Sequence, residues 1–330
     1  MHSSPGFSEP EPTFDAGVYG RPGSHAVGWL LQDWSDPARD RQVPAKIYFP
    51  QSPGPFPVIV FSHGLGGSRA GYHYLGNHWA SHGYIAIHVQ HRGSDSEVWQ
   101  QAQRGDFIAE MRAAAQRPEN AVNRPQDVRF AIDQLERLEQ DQVQLGGRID
   151  RRRIGVGGHS FGAYTALAVA GQTFPGIGGR DVRVGDPRVR AFVAMSPPGP
   201  RKKDALDRMY GSIGIPGLHL TGTRDTSPIG ITEVQDRRIP FDHIAAADQF
   251  LVVYRGGDHM FFAGRERTRA NAQDAALLEL TEAVTTAFWD AYLKDDAPAQ
   301  QWLAGDGFSQ LLGERGKLEK KLAVKGEPRA

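Results

Sequence analysis

Eight short apolar runs punctuate the chain, at residues 26–32, 43–49, 57–62, 84–89, 153–157, 189–195, 217–221 and 249–254. The first two stand close together and predict a neighbouring strand pair. From the third onward the runs alternate with segments of helical period, such as 70–82, 125–140 and 162–171. That rhythm builds strand–helix–strand units, a parallel sheet and right-handed crossovers that cover both faces. Leu277, Leu280, Val284, Phe288 and Tyr292 recur at spacings of three or four and predict a long helix over about 271–294, packed inward along one face. The expectation is one α/β domain over 25–313 with a mostly parallel, eight-stranded sheet. Residues 1–24 have no period and read as an irregular arm, lying on the surface or frayed. Residues 314–330 read as a charged tail, a solvated helix or a frayed end.

One stretch stands out chemically. Ile154 to Ala163 reads as a short strand, the turn Gly158-His159-Ser160-Phe161-Gly162 and a helix start. A turn this tight crowds the backbone on both sides of the serine, leaves room only for glycine, and pushes the hydroxyl out above the sheet. Serine is a poor nucleophile at its free pKa, so such a site needs a histidine to take the proton and a carboxylate to orient that histidine. Asp225 follows the seventh apolar run and His259 follows the eighth, both where strand ends deliver side chains to a crevice. Asp204 or Asp207 would be the replacement acid, and His243 the rival histidine. A tetrahedral oxyanion needs two backbone N–H donors. Phe161, next to the serine, supplies one, and the loop Ser62-His63-Gly64-Leu65-Gly66-Gly67 after the third run points to Leu65 for the other. Met195, Met260, Phe261 and Phe262 suggest an apolar acyl pocket, with core packing an almost equal reading. The insertion 94–124, carrying Trp99, Phe107 and Met111, reads either as a helical cap or as a surface helix pair.

Composition narrows the partners. Lysine plus arginine and aspartate plus glutamate both total 38, so no net field concentrates a polyanion, and a nucleic-acid role is not expected. The absence of cysteine removes disulfides, zinc–thiolate sites and a thiol nucleophile together. Half of the twelve histidines fall between His63 and His91, and His78 and His82 would share a helix face. Trp79 stands where a metalloprotease motif has its glutamate and no clear third ligand is offered, so satisfied structural histidines are expected and no functional metal site. His63 and His159 are expected to brace the two loops of the oxyanion site. No run approaches membrane-spanning length. The start lacks the basic-then-apolar pattern of a signal peptide, which points to the cytoplasm for the sequence as written, or to secretion or the periplasm if a leader was removed.

The segments Phe61-Ser62-His63-Gly64-Leu65-Gly66, Ala80-Ser81-His82-Gly83-Tyr84, His91-Arg92-Gly93 and Gly158-His159-Ser160-Phe161-Gly162 resemble the platelet-activating factor acetylhydrolase family. They are also similar to dienelactone-hydrolase-like and cutinase-like esterases. The resemblance spans roughly 43–262. It implies the α/β-hydrolase fold and a cofactor-free serine carboxylic-ester hydrolase, with Ser160 as nucleophile and Leu65 and Phe161 as oxyanion donors. Asp225 matches the acid position of the cutinase-like and dienelactone-like groups, whereas the platelet-activating factor enzymes place the acid after the sixth strand, where this chain has Met195-Ser196-Pro197-Pro198. The expected partner is a small-molecule or lipid-like ester, with acyl peptidase, acyltransferase and a non-catalytic binding module as alternatives. Monomer and homodimer remain equally open.

Overall fold

The computed structural model describes residues 15–100, 106–175, 180–200, 203–230, 232–264 and 272–323. Eleven strands form, in chain order: β1 Val27–Asp36, β2 Arg41–Pro50, β3 Phe56–Ser62, β4 Ile85–Val89, β5 Ile149–His159, β6 Thr173–Pro175, β7 Asp181–Arg183, β8 Val189–Met195, β9 Gly217–Arg224, β10 Gln249–Asp258 and β11 Gly316–Lys321. Nine of them make one sheet in the order β1-β2-β4-β3-β5-β8-β9-β10-β11, while β6 and β7 pair separately. The centre from β4 to β10 is parallel, and the antiparallel pairs lie at the two ends. This α/β architecture is consistent with an α/β-hydrolase.

Strand alternation sorts side chains into two cores, one per face. Along β3, Ile59 and Phe61 join one cluster and Val58 and Val60 the other. The first is closed by the helices His73–Ser81 and Ala272–Leu293, where Trp79 and Trp289 meet edge to face at 6.1 Å. The second is closed by the helices Pro118–Asp133 and Phe161–Val169. A strand buried on both faces reads as a continuous apolar run, which is why the central strands stand out in the sequence.

Three expectations change. The sheet has nine strands among the described residues, not eight, because part of the charged tail is neither frayed nor helical: Gly316–Lys321 pairs antiparallel with β10. Its Lys321 Nζ donates to the carbonyls of Phe241, Asp242 and Ile244. Residues 324–330 of that tail lie outside the described residues. The predicted helix 125–140 is two helices, Pro118–Asp133 and Leu135–Asp141. Proline is tolerated in a first turn, where its missing N–H costs nothing, and Pro118 occupies it. Pro125 sits inside the helix and leaves the Ala121 carbonyl without its usual donor, a gap met by Tyr164 Oη at 3.4 Å. The N-terminal arm is docked from residue 15 onward: a turn of helix at Gly17–Gly20 sets the Tyr19 ring against Trp302 at 4.9 Å. Its residues 1–14 lie outside the described residues, as do 101–105 of the insertion and 271, expected to begin the last helix.

Candidate active site

Ser160, Asp225 and His259 each directly follow the carboxyl end of a parallel strand, β5, β9 and β10 respectively. Ser160 follows β5 directly, with φ 55° and ψ −116°, and the helix Phe161–Val169 starts at the next residue. A non-glycine residue at positive φ costs roughly 1–3 kcal/mol and persists only where its surroundings hold it. Here the Ser160 N–H donates to Met195 O of β8 at 2.8 Å, and the Ser160 carbonyl accepts from Ala163 and Tyr164 N–H. A Cβ at Gly162 would overlap the Ser62 carbonyl, and one at Gly158 would overlap Gly162 itself. The two glycines let β3, β5 and the helix approach closely enough to form this turn.

His259 Nε2 lies 2.9 Å from Ser160 Oγ, and His259 Nδ1 lies 2.8 Å from Asp225 Oδ1. Asp225 is fully buried, and its Oδ2 accepts from Thr221 Oγ1 at 2.8 Å. The rival residues are elsewhere: His243 Nδ1 and Asp207 Oδ1 pair with each other at 2.6 Å on the surface. The arrangement can pass a proton from the serine hydroxyl to the imidazole, with the carboxylate fixing the ring's tautomer and orientation.

Facing Ser160 is the loop after β3. A single chain of hydrogen bonds ties it to the rest of the site. Gly64 N–H donates to Tyr72 Oη at 3.3 Å, Tyr72 Oη donates to His159 Nδ1 at 2.7 Å, and His159 Nε2 donates to the His259 carbonyl at 2.9 Å. Burial pushes the His159 imidazole well below the usual histidine range, so it stays neutral and can play both roles. His63 braces the same loop: Nδ1 donates to Gly64 O at 2.6 Å, and Nε2 accepts from His91 N–H at 3.1 Å. Among the described residues, the N–H groups of Leu65 and Phe161 take part in no hydrogen bond.

Beneath this loop lies a polar cluster that the sequence did not announce. Arg124 is completely buried and its guanidinium donates to the His63 carbonyl, Ser62 Oγ, Ser94 Oγ and Thr165 Oγ1, while its Cζ sits 4.5 Å from the Phe161 ring centroid. Burial pulls its pKa down to about 9, against the opposing charge of Asp127. Ser62 Oγ in turn meets His91 Nε2 at 2.8 Å, and His91 Nδ1 meets Asp127 Oδ2 at 3.0 Å. This is a second serine–histidine–aspartate chain, but all three side chains are shut away from solvent and Asp127 is also paired with Arg39 and Arg41. It holds β3, β4 and the helix Pro118–Asp133 together beneath the candidate site.

The remaining expected site residues divide. Met195 and Phe261 are core side chains, Phe261 stacking on Phe262 with ring centroids 3.9 Å apart. Met260 is half-buried. Trp99 is 41% exposed and donates from Nε1 to the Gly66 carbonyl at 2.7 Å, so the insertion is fastened to the loop after β3. The insertion contributes the short helix Glu97–Gln100, the helix Phe107–Gln116 and the first turns of Pro118–Asp133. His78 and His82 share a helix face, with ring centroids 4.7 Å apart, and donate to the Tyr19 and Arg21 carbonyls. Among the described residues, no helix is long and apolar enough to cross a membrane.

Comparison with known proteins gives the same direction. Residues 40–111 match the family model "Platelet-activating factor acetylhydrolase, isoform II", a window that includes the loop after β3 and stops before Ser160. The chain is 29% identical to a platelet-activating factor acetylhydrolase of Cavia porcellus over 184 residues, covering 47% of this chain and 38% of that protein. It is 28% identical to the acetylhydrolase of Canis lupus familiaris over 234 residues, covering 63% of this chain and 48% of that protein. A putative phospholipase A2 of Schizosaccharomyces pombe is 24% identical over 186 residues, covering 44% of this chain and 42% of that protein. The chain therefore spans less than half the length of these relatives, and is similar to platelet-activating factor acetylhydrolases over the part it shares.

Proposed function

We propose that this chain is a serine carboxylic-ester hydrolase acting on lipid-like esters through an acyl-enzyme. The observation that carries the reading is the line of contacts Ser160 Oγ to His259 Nε2 to Asp225, at 2.9 and 2.8 Å, assembled from the ends of β5, β10 and β9. His259 takes the proton from Ser160 Oγ as the oxygen attacks the ester carbonyl. The tetrahedral intermediate collapses, and the leaving alcohol departs with that proton. Water then attacks the acyl-serine, giving one proton to His259, and Ser160 recovers it as the carboxylate leaves. No cofactor enters this scheme.

Leu65 and Phe161 N–H are the oxyanion donors in this reading. Their lack of a hydrogen-bond partner among the described residues supports it, as does the start of the helix Phe161–Val169 beside Ser160, whose N-terminal dipole favours negative charge. The Gly64 carbonyl, in the same amide as Leu65 N–H, accepts from His63 Nδ1, which polarises that amide and strengthens its N–H as a donor. The lipid part of the proposal rests on the relatives, whose names are those of phospholipid-type esterases.

The purified protein is expected to hydrolyse both p-nitrophenyl acetate and a glycerophospholipid bearing a 2-acetyl group, undiminished by chelator. Turnover of the first alone would remove the lipid reading and keep the esterase. Turnover of neither, with acylated peptides cleaved instead, would replace the ester with an amide.

A further inference from the structure

Arg237 lies in the 3-10 turn Val234–Arg238, whose start is closed by reciprocal bonds between Glu233 and Asp236. It is 1% exposed. A buried guanidinium carries five N–H donors and cannot accept a hydrogen bond, so each donor must find an acceptor. Nε donates to the Asp225 carbonyl at 3.1 Å, and Nη1 donates to the Ser196 and Pro197 carbonyls, both at 3.0 Å. Nη2 stands 3.2 Å from Asp225 Oδ1 and 3.0 Å from His259 Nδ1. One side chain therefore clamps the loops after β8, β9 and β10, and it does so at the two atoms that orient the imidazole.

We propose that Arg237 is a positioning residue for the reaction: it holds the Asp225 carboxylate where it directs the His259 Nδ1 proton, and its charge opposes build-up of imidazolium on His259. The proposal rests on the reading of Ser160, His259 and Asp225 given above. With its proton on Nδ1, His259 shares Asp225 Oδ1 with Arg237 as a three-centred acceptor. When Ser160 gives up its proton, the imidazolium forms between one carboxylate and one guanidinium. The other groups that face or flank the ring leave this balance undisturbed. His159 of β5, with ring centroids 4.8 Å apart, is kept neutral by burial, and Asp258 Oδ1 is turned to the Met260 and Phe261 N–H groups.

The test is p-nitrophenyl acetate hydrolysis across pH by wild type, Arg237→Met and Arg237→Lys, with folded fraction measured by near-UV circular dichroism and Ser160→Ala alongside. Arg237→Met is expected to lower kcat roughly 10- to 100-fold with KM within about twofold, the cost of a relay held loosely. It is also expected to move the acidic limb of kcat/KM up by about one pH unit, because a cation beside the imidazole has gone. Arg237→Lys keeps the charge and loses the fork, so kcat falls several-fold while the limb stays in place. Wild-type kcat and an unmoved limb in folded Arg237→Met would overturn the proposal. So would a loss of activity that only tracks the loss of folded protein. If the methionine variant does not fold, Arg237→Lys decides: full kcat or a displaced limb overturns the idea. Activity within about tenfold of wild type in Ser160→Ala would sink the underlying reading instead.

Discussion

Replacing Ser160 with alanine leaves a folded protein that hydrolyses p-nitrophenyl acetate at least about a thousandfold more slowly than wild type, since nucleophile, base and orienting acid work as a unit. The folded state should survive because Ser160 makes its structural contacts through the backbone: N–H to Met195 O, and its own carbonyl to the first turn of the helix. Among the described residues, its Oγ meets only His259. The strain at φ 55° is retained by alanine, so the change in stability should be small beside the change in rate. Some activity over water should remain if Leu65 and Phe161 N–H act as oxyanion donors, because that stabilisation does not depend on the serine. Kinetics and a thermal melt on the same preparation check both halves. Activity within about tenfold of wild type would show that another group performs the attack.

The second large effect is on stability. Lowering pH from 7 to 4 should unfold the protein cooperatively. Burial holds His78, His88, His91 and His219 at about 4, and drives His63 and His159 well below the usual histidine range. In the unfolded chain each returns to about 6.5. The unfolded state therefore binds more protons throughout the interval between the two values, and stability falls as pH falls through it. A shift of that size is worth roughly 3 kcal/mol per group, and a few such groups match the roughly 5–15 kcal/mol that hold a domain together. Asp127 acts lower on the scale. Burial pushes its carboxyl up, but hydrogen bonds from His91 and Arg41 win and bring it to about 2, so its contribution is present above about pH 4 and lost towards 2. Thermal midpoints from pH 8 to 4 are the measurement: a steep decline beginning near 6.5 is expected, and a flat profile down to 4 would refute it.

How much of this could be read from the chain depends on what carries the signal. The central strands were legible because burial on both faces makes them continuously apolar. Ser160, Asp225 and His259 were legible as neighbours because each stands just beyond such a run, where the topology collects strand ends. β11 was not: with Leu318 as its lone apolar residue among lysines and a glutamate, it is held by the main-chain ladder to β10, which leaves no mark on composition. Arg124 and Arg237 were missed for a related reason. Each lies in a polar segment, Asn123-Arg124-Pro125 and Asp236-Arg237-Arg238, that reads as solvated surface, and only the folded chain brings carbonyls from distant loops around the guanidinium. The insertion 94–124 fell between the two. Its helices were foreseeable, while its fastening through Trp99 to Gly66 depends on a loop that lies 33 residues earlier in the chain.

The pairing of β11 with β10 also sets an order of events during synthesis. β10 contains Phe250-Leu251-Val252-Val253-Tyr254, an uncharged apolar run paired on one side with β9, which precedes it in the chain. Its other edge has no partner until residues 316–321 have been made, some sixty positions later. For that interval the nascent chain displays a sticky strand edge of the kind that recruits other chains, and the lysines of β11 are what finally blunt it. Pairing with the lysine-rich β11 thus covers a strand edge of β10 that would otherwise stand open to other chains.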